Sequence, residues 1–447
     1  MTLSPDVPKM KTACIYTLGC RVNQAETRLI EDQLREAGYG LTAFGNQADL
    51  GIIHTCVVTT EAEAKSRKMI RRFTRQNPGA VTVVIGCYAQ TEGATIAAMD
   101  GVDVVLGNDA KMALPAYLAS LEKGKPTVAR DRPAPEMFTL PFADDGPPIT
   151  RRVNVKIQDG CDTMCTYCYV PFARGRSRSR RFDDACAEAA SLIRRGAREL
   201  VLTGVNLGMY QDGDRDIVQL VDALDALRPR PRIRISSIEL NTVPYALLPR
   251  MATDDHALAP HLHIPLQSGS EKVLRAMGRP YTPADYSAFL AHAAAAAPGI
   301  GMGADVMVGF PGETEEDFAA TCDLIRESPL QYLHVFQYSE RPQVAAARLP
   351  DKVARETMHR RSMQLRALGR EKGRAFQQQW LGREMEVLFE SQQDGLWTGH
   401  TGNYLKVAVS HHHALTNTRI RARITSLEEM YLKGELAAPC EVKQGQP

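Results

Sequence analysis

No apolar run in the 447-residue chain is long enough to cross a bilayer, and the opening stretch MTLSPDVPKMKTA has no apolar signal core. Those two absences exclude a spanning helix and a secretory leader, so a cytosolic protein with no membrane partner is expected. Surplus charge is also scarce: 54 Lys and Arg stand against 52 Asp and Glu, a formal net charge of +2. A nucleic-acid binder with this balance must concentrate its basic residues locally. No period-fixed repeat is present, which excludes a solenoid. A phosphate loop is missing as well. The segment CIYTLGCRVNQAET (Cys14–Thr27) has the strand–turn–helix pattern of a dinucleotide-binding corner, where G-x-G-x-x-G would be needed. It offers Gly19-Cys20-Arg21 instead, with one glycine and a thiol.

Cysteine is what the chain does have. Ten of them in a reducing compartment point to metal or catalysis rather than to disulfides. The surrounding pattern is α/β and multidomain. Residues 8–126 alternate strand and helix, as a Rossmann-like domain with a parallel sheet covered by helices would. Residues 127–148 are rich in Pro and Asp and read as a linker. Strand–helix alternation resumes over 149–375, suggesting a partial (β/α) barrel of the TIM type, with its sites where strands run out. Residues 376–440 change to short alternating strands, as in a small all-β barrel.

GCDTMCTYC places Cys161, Cys165 and Cys168 in the spacing C-x3-C-x2-C. Three thiolates so close can hold three irons of a cubane cluster and leave the fourth iron open to a ligand. Zinc would want a fourth Cys or His nearby, and the next Cys is Cys186. With Tyr167 before the last Cys, the motif resembles the signature of the radical S-adenosylmethionine enzymes. The resemblance implies a [4Fe–4S] cluster whose open iron binds S-adenosylmethionine and cleaves it to a 5′-deoxyadenosyl radical. It also implies cofactor-facing roles at later strand ends: Thr203, Gly204 and Asn206 in TGVNLG, Glu239 in SSIEL, and Gln267 and Ser268 in PLQSGS. VGFPGET (Val308–Thr314) resembles the strand end near the adenine.

Cys20, Cys56 and Cys87 each end a predicted strand, in TLGC, IIHTC and VIGC. In a parallel sheet those ends share one edge, where three thiols could converge on a second cluster. The alternative is a small buried hydrophobe at each place, the reading preferred for Cys14, Cys186, Cys322 and Cys440. A three-Cys N-terminal domain, a radical S-adenosylmethionine domain and a small β tail form the layout of the methylthiotransferases, which the chain resembles from about Lys11 to Leu436. TLGCRVNQAET, EAEAKSRKMIRR, GCYAQ and HIPLQSGS resemble the subgroup acting on N6-threonylcarbamoyladenosine in tRNA. The sibling acting on isopentenyladenosine typically reads Y-G-C-Q-M-N at the first cysteine, and the ribosomal-protein sibling L-G-C-P-K-N. Two departures stand out: His54 where the family usually has Asn, and Gln343 where RPGTPAA-like sequences are commoner.

The resemblance implies two uses of S-adenosylmethionine. One molecule methylates a sulfur held on the N-terminal cluster. A second supplies the radical that takes hydrogen from C2 of the target adenine, to which the methylthio group is joined. No catalytic residue beyond the two clusters is expected. A TRAM-like RNA-binding tail, a tRNA anticodon stem-loop as partner, and an electron donor such as flavodoxin or ferredoxin are implied too, with the sulfur donor undefined. Arg174, Arg176, Arg178 and Arg180 in RGRSRSRR, with Trp397, Tyr404 and Lys406 in the tail, are the RNA-contact candidates, joined by Phe389. Each Arg has the alternative of a solvated or protein-contacting turn, and each aromatic that of barrel core. Alternatives for the whole chain are methylthiolation of isopentenyladenosine or of a ribosomal protein, and a non-catalytic iron–sulfur RNA-binding or electron-transfer protein.

Overall fold

The structure, a computed structural model, describes residues 10–121 and 125–437. Cys440 and the end of the expected 376–440 domain lie outside the described residues.

The N-terminal domain runs β1 (Thr12–Thr17), α1 (Arg21–Glu36), β2 (Gly40–Leu41), β3 (Leu50–Thr55), α2 (Thr60–Gln76), β4 (Val81–Gly86), α3 (Cys87–Ala97), β5 (Val104–Leu106), α4 (Leu114–Ala119) and β6 (Thr127–Ala129). The strands form one parallel sheet in the order β2-β1-β3-β4-β5-β6. Every residue of β3 is buried, because both faces of the sheet are covered. Ile30, Leu34, Leu50, Ile52 and Ile85 pack one face, and Ile53, Val84, Ile70 and Phe73 the other. The expected linker therefore starts too early. Thr127–Ala129 pairs with β5, and a strand that completes a hydrogen-bonded edge belongs to the sheet.

Six parallel strands follow in chain order: Val153–Lys156, Glu199–Thr203, Arg232–Ile235, His261–His263, Gly301–Val308 and Tyr332–Gln337. They form two three-stranded sheets joined by a bridge between Ile233 and Leu258. The first and last strands do not pair, so the partial barrel is open along one side. α1 lies over the first strand, with Asn154 Nδ2 donating to Gln24 Oε1 at 3.1 Å. This explains why α1 buries Asn23, Glu26 and Asp32 as well as its apolar residues: its polar face meets the barrel rather than water.

A 24-residue helix, Arg355–Gln378, leads to a closed five-stranded barrel (Glu384–Gln393, Leu396–Thr401, Lys406–Ser410, Leu432–Leu436, Thr418–Leu427). Its docking to the larger barrel is polar. Arg234 donates to the Gly402 and Thr401 carbonyls at 2.7 and 3.0 Å, and Arg232 to the His400 carbonyl at 2.9 Å. Buried Glu199 holds both guanidinia, at 3.1 Å to Arg232 and 2.7 Å to Arg234. Burial alone would raise the Glu199 carboxyl, but these two cations bring it down to about 2. Among the described residues, no helix is long and apolar enough to cross a membrane.

Candidate active site

The sheet edge at the C-terminal ends of β1, β3 and β4 carries Cys20, Cys56 and Cys87. Cys20 is the N-cap of α1 and Cys87 the first residue of α3, so free backbone N–H groups of two helices face the thiols. Gly19 has φ 96°, and a Cβ there would sit 2.9 Å from both Cβ and Sγ of Cys56. Only glycine admits this close approach, which brings the first two cysteine corners together.

The second triad lies on the loop after Gln158–Asp159 and before the short helix Val170–Arg174. A Cβ on Gly160 (φ 69°) would meet the Arg176 carbonyl at 1.9 Å, so the turn into Cys161 requires glycine. Met164 is held at φ 52° inside the loop. Cys168 N donates to the Cys165 carbonyl at 3.0 Å, and Thr166 N to the Met277 carbonyl at 3.0 Å, which ties the loop to the barrel mouth.

The thiols of each triad sense one another electrostatically. Among the described residues, neither triad brings its three sulfurs within 4.8 Å of each other. A single zinc, with Zn–S of about 2.3 Å, would hold them closer than about 4.6 Å. Neither triad is gathered around one point, and three thiolates are the donor set that a cubane cluster with one open iron takes. Burial pushes the Cys56 and Cys168 thiols up to about 12, so loading a cluster must expel protons.

An apolar seam between the two domains holds Cys87 of one triad and Tyr167 and Tyr169, which flank Cys168 of the other. Cys87, Val57 and Tyr88 from the N-terminal domain share a cluster with Tyr169, Met277, Phe310 and Val344. Tyr167 packs edge-on against Phe310 at 6.5 Å, and burial keeps its hydroxyl protonated, well above the ordinary tyrosine value. Arg341 clamps the seam by donating to Glu63 at 2.6 Å and to the Val57 carbonyl.

Behind Cys20 and Cys87 lies a buried ionic network that the sequence did not announce. Glu26 accepts from Lys111 at 2.6 Å, Lys156 at 2.7 Å and Arg174 at 3.2 Å. Asp159 accepts from Lys156 at 2.6 Å and Arg174 at 2.9 Å. Burial would raise the Glu26 carboxyl, yet Arg174, Lys111 and Lys156 hold it well below its usual range. Three cations face two carboxylates, and the surplus positive charge lies beside the thiols, which in turn favour the Arg174 cation. His54 belongs to this network. Burial, with Lys111 nearby, lowers it to about 4, so its imidazole is neutral. Its Nε2 lies 3.4 Å from Lys111 Nζ and 3.5 Å from Glu26 Oε2, and its Nδ1 lies 2.9 Å from Thr27 Oγ1.

Three of the four arginines expected at RNA are thereby corrected. Arg174 is locked in this network. Arg178 pairs with Asp109 and Asp159, and Arg180 with Glu188 and Asp184 at zero exposure. A buried guanidinium committed to carboxylates is not presented to phosphate. Arg176 alone points outward, with its side chain 60% exposed. Trp397 and Phe389 are corrected too, since both lie in the core of the small barrel. Tyr404 and Lys406 are half-buried, and Lys406 lines a cleft of about 1040 Å³ between α1, residues 147–154 and the small barrel.

The expected cofactor positions gather at the barrel mouth. Gln158 Oε1 accepts from the Val205 and Asn206 N–H groups and fixes the turn after Thr203-Gly204. Asn206 is fully buried; its Oδ1 accepts from Thr242, while its Nδ2 donor has no partner, an opening for a polar ligand. Gln267 is held at φ 65°, and Ser268 Oγ lies 3.3 Å from Thr321 Oγ1. Glu239 is held by Arg279, which also donates to Cys165 Sγ at 3.3 Å. Arg279, Glu26, Lys111, Lys156 and Asp159 escaped the sequence reading. Charges on a helix or beside a turn read as solvated until a partner domain covers them.

Residues 12–107 match the family described as "Uncharacterized protein family UPF0004", and residues 155–325 match the Radical SAM superfamily. The threonylcarbamoyladenosine tRNA methylthiotransferase MtaB of Bacillus subtilis is 35% identical over 97% of this chain and 98% of its own. Its namesake in Chlamydia pneumoniae is 33% identical over 98% and 100%. The tRNA-2-methylthio-N(6)-dimethylallyladenosine synthase of Sphingopyxis alaskensis is 34% identical over 93% and 95%. Among solved structures, the radical S-adenosylmethionine methyltransferase TsrM of Kitasatospora setae superposes with a TM-score of 0.53 at 13% identity, over 75% of this chain and 77% of that one, which shows the fold. Matched nearly end to end at these identities, the chain belongs to the radical S-adenosylmethionine methylthiotransferases.

Proposed function

We propose that the protein adds a methylthio group to C2 of N6-threonylcarbamoyladenosine beside the anticodon of tRNA, drawing electrons from a flavodoxin- or ferredoxin-type donor. The observation that carries the reading is one apolar seam that holds Cys87 together with the tyrosines flanking Cys168, in a chain related over its length to proteins named for that reaction. Two [4Fe–4S] clusters and S-adenosylmethionine supply the sulfur transfer and the radical chemistry when bound. Cys20, Cys56 and Cys87 would hold one cluster, and Cys161, Cys165 and Cys168 the other.

The remaining work falls to ordinary side chains. The surplus cation of the Glu26–Asp159 network offsets anionic charge at Cys20 and Cys87. Arg279 does the same at Cys165, and Glu239 fixes its direction. Asn206, Thr203, Gly204, Gln267 and Ser268 line the mouth for S-adenosylmethionine, and Phe310, Tyr167 and Val57 keep water from a radical step. For tRNA, the cleft of about 1040 Å³ is the best-suited surface. Of its cations, Arg21, Arg151 and Lys406 pair with no carboxylate among the described residues and are available to an anion.

Nucleoside mass spectrometry of tRNA from a host with and without the gene tests the assignment. Loss of 2-methylthio-N6-threonylcarbamoyladenosine alone is expected. Loss of the dimethylallyl nucleoside instead, or an unchanged profile, overturns it.

A further inference from the structure

We propose that Arg21 is the subsite for the carboxylate of the threonylcarbamoyl group, an inference that rests on the substrate reading above. Arg21 follows Cys20, opens α1 and lines the cleft beside residues of the small barrel. Its half-buried guanidinium makes one hydrogen bond, Nη2 to the Tyr404 hydroxyl at 2.8 Å. A guanidinium carries five N–H donors in a planar fork, so four remain without a protein acceptor among the described residues.

Its neighbours show how unusual that is. Arg152 and Arg234 also stand over the Tyr404 ring, at 5.3 and 4.9 Å, and Arg21 at 5.9 Å. Arg152 is committed to Glu390 at 3.3 Å and Arg234 to Glu199 at 2.7 Å. Arg21 alone of the three lacks a carboxylate. Tyr404 is itself well seated, with His261 of the larger barrel at 4.8 Å and His400 of the small one at 5.2 Å, so the hydroxyl that directs Arg21 is fixed between the two barrels.

The substrate brings what is missing. In adenine, C2 and C6, the carbon that bears N6, both flank N1, so when C2 is turned to the cysteine triads the group on N6 lies along the same edge. The threonylcarbamoyl group ends that edge in a carboxylate, which a planar guanidinium can grip through two parallel bonds. The adjoining helix N-terminus favours the same negative charge. A dimethylallyl group would leave the cation unpaired at the cost of its hydration. Discrimination between the two nucleosides is thus assigned to one side chain next to a cluster ligand.

The test uses anticodon stem-loop RNA carrying N6-threonylcarbamoyladenosine or its threonyl methyl ester, which is neutral but otherwise alike. Methylthiolation kinetics, 5′-deoxyadenosine release and iron content are measured for the reconstituted wild type, Arg21→Gln, Arg21→Lys and Tyr404→Phe. The wild type is expected to favour the acid over the ester by about 10- to 100-fold in kcat/KM. Arg21→Gln should lose that preference, mainly through KM, with iron retained, and Arg21→Lys should recover part of it. Tyr404→Phe should narrow the ratio a few-fold without touching a cluster ligand's neighbour. A wild type indifferent to the ester, or an iron-replete Arg21→Gln that keeps the preference, overturns the subsite. Equal losses on acid and ester overturn it too, and mark Arg21 as a phosphate contact. If Arg21→Gln loses iron, an unchanged Tyr404→Phe ratio overturns it. A wild type that ignores threonylcarbamoyladenosine but modifies dimethylallyladenosine rejects the substrate reading itself.

Discussion

The two cysteine triads reach the same chemistry by different routes. Cys161, Cys165 and Cys168 sit within eight residues of one loop, held by backbone hydrogen bonds to its surroundings. Cys20, Cys56 and Cys87 are spread over 68 residues and are gathered by the sheet and by the packing of a second domain against it. One triad is local and the other tertiary. The tertiary one should depend far more on residues that touch no sulfur.

Replacing each triad by Ala gives the largest expected effect and the sharpest contrast. Cys20, Cys56 and Cys87→Ala should retain one cluster and still release 5′-deoxyadenosine, with methylthiolation abolished. Cys161, Cys165 and Cys168→Ala should retain the other cluster and abolish both activities. Iron analysis and product chromatography read the outcome. Two clusters surviving in the first variant would remove the second site altogether.

Next comes Arg174→Ala, which removes the surplus buried cation and the donors it gives to Glu26, Asp159 and Asn23. Breaking such a network costs about 3–5 kcal/mol. Denaturant unfolding should show that loss, and reconstitution should fail first at the N-terminal triad. An equal loss of iron at both triads would contradict the contrast drawn here.

Acid should affect the small barrel's docking. The Glu199 carboxyl is lowered to about 2, so its stabilisation is complete above its unfolded value near pH 4.5 and is lost as pH falls towards 2. The shift corresponds to about 3 kcal/mol, and Glu199→Gln should flatten that part of the stability profile. The smallest effect belongs to the arginine tract. Arg176→Ala should leave stability unchanged and lower the salt slope of tRNA binding by at most about 1. Arg178→Ala should instead destabilise the fold, and a reversal of these roles would restore the tract as an RNA patch.

Some of this was legible in the chain. Alternating apolar strands and amphipathic helices gave away the parallel sheet, the partial barrel and the closed β tail. The fate of RGRSRSRR was not legible, because a run of like charges looks solvated unless its partners are known. Asp109 and Glu188 lie far from it in one sense or another, the first in a different domain. The assignment of 127–148 as linker failed at its first three residues for a related reason. A short edge strand has little sequence signal and is defined by the neighbour it pairs with. Trp397 and Phe389 illustrate the same limit: alternation marks a strand but does not say which face is the inside of a small barrel.

By itself the sequence determined what is local and covalent: the C-x3-C-x2-C loop, the strand ends bearing Cys20, Cys56 and Cys87, and the glycines that precede two of those three. Spacing along a chain constrains ligands a few residues apart, and little else. Tertiary structure decided which charges are buried against which, and that Arg174 supports the sulfur site rather than RNA. It also left Arg21, alone of the three guanidinia around Tyr404, without a counter-ion among the described residues. Electrostatic partners are chosen by distance in space, and around Glu26 those distances are set by α1 packing against the first strand of the barrel.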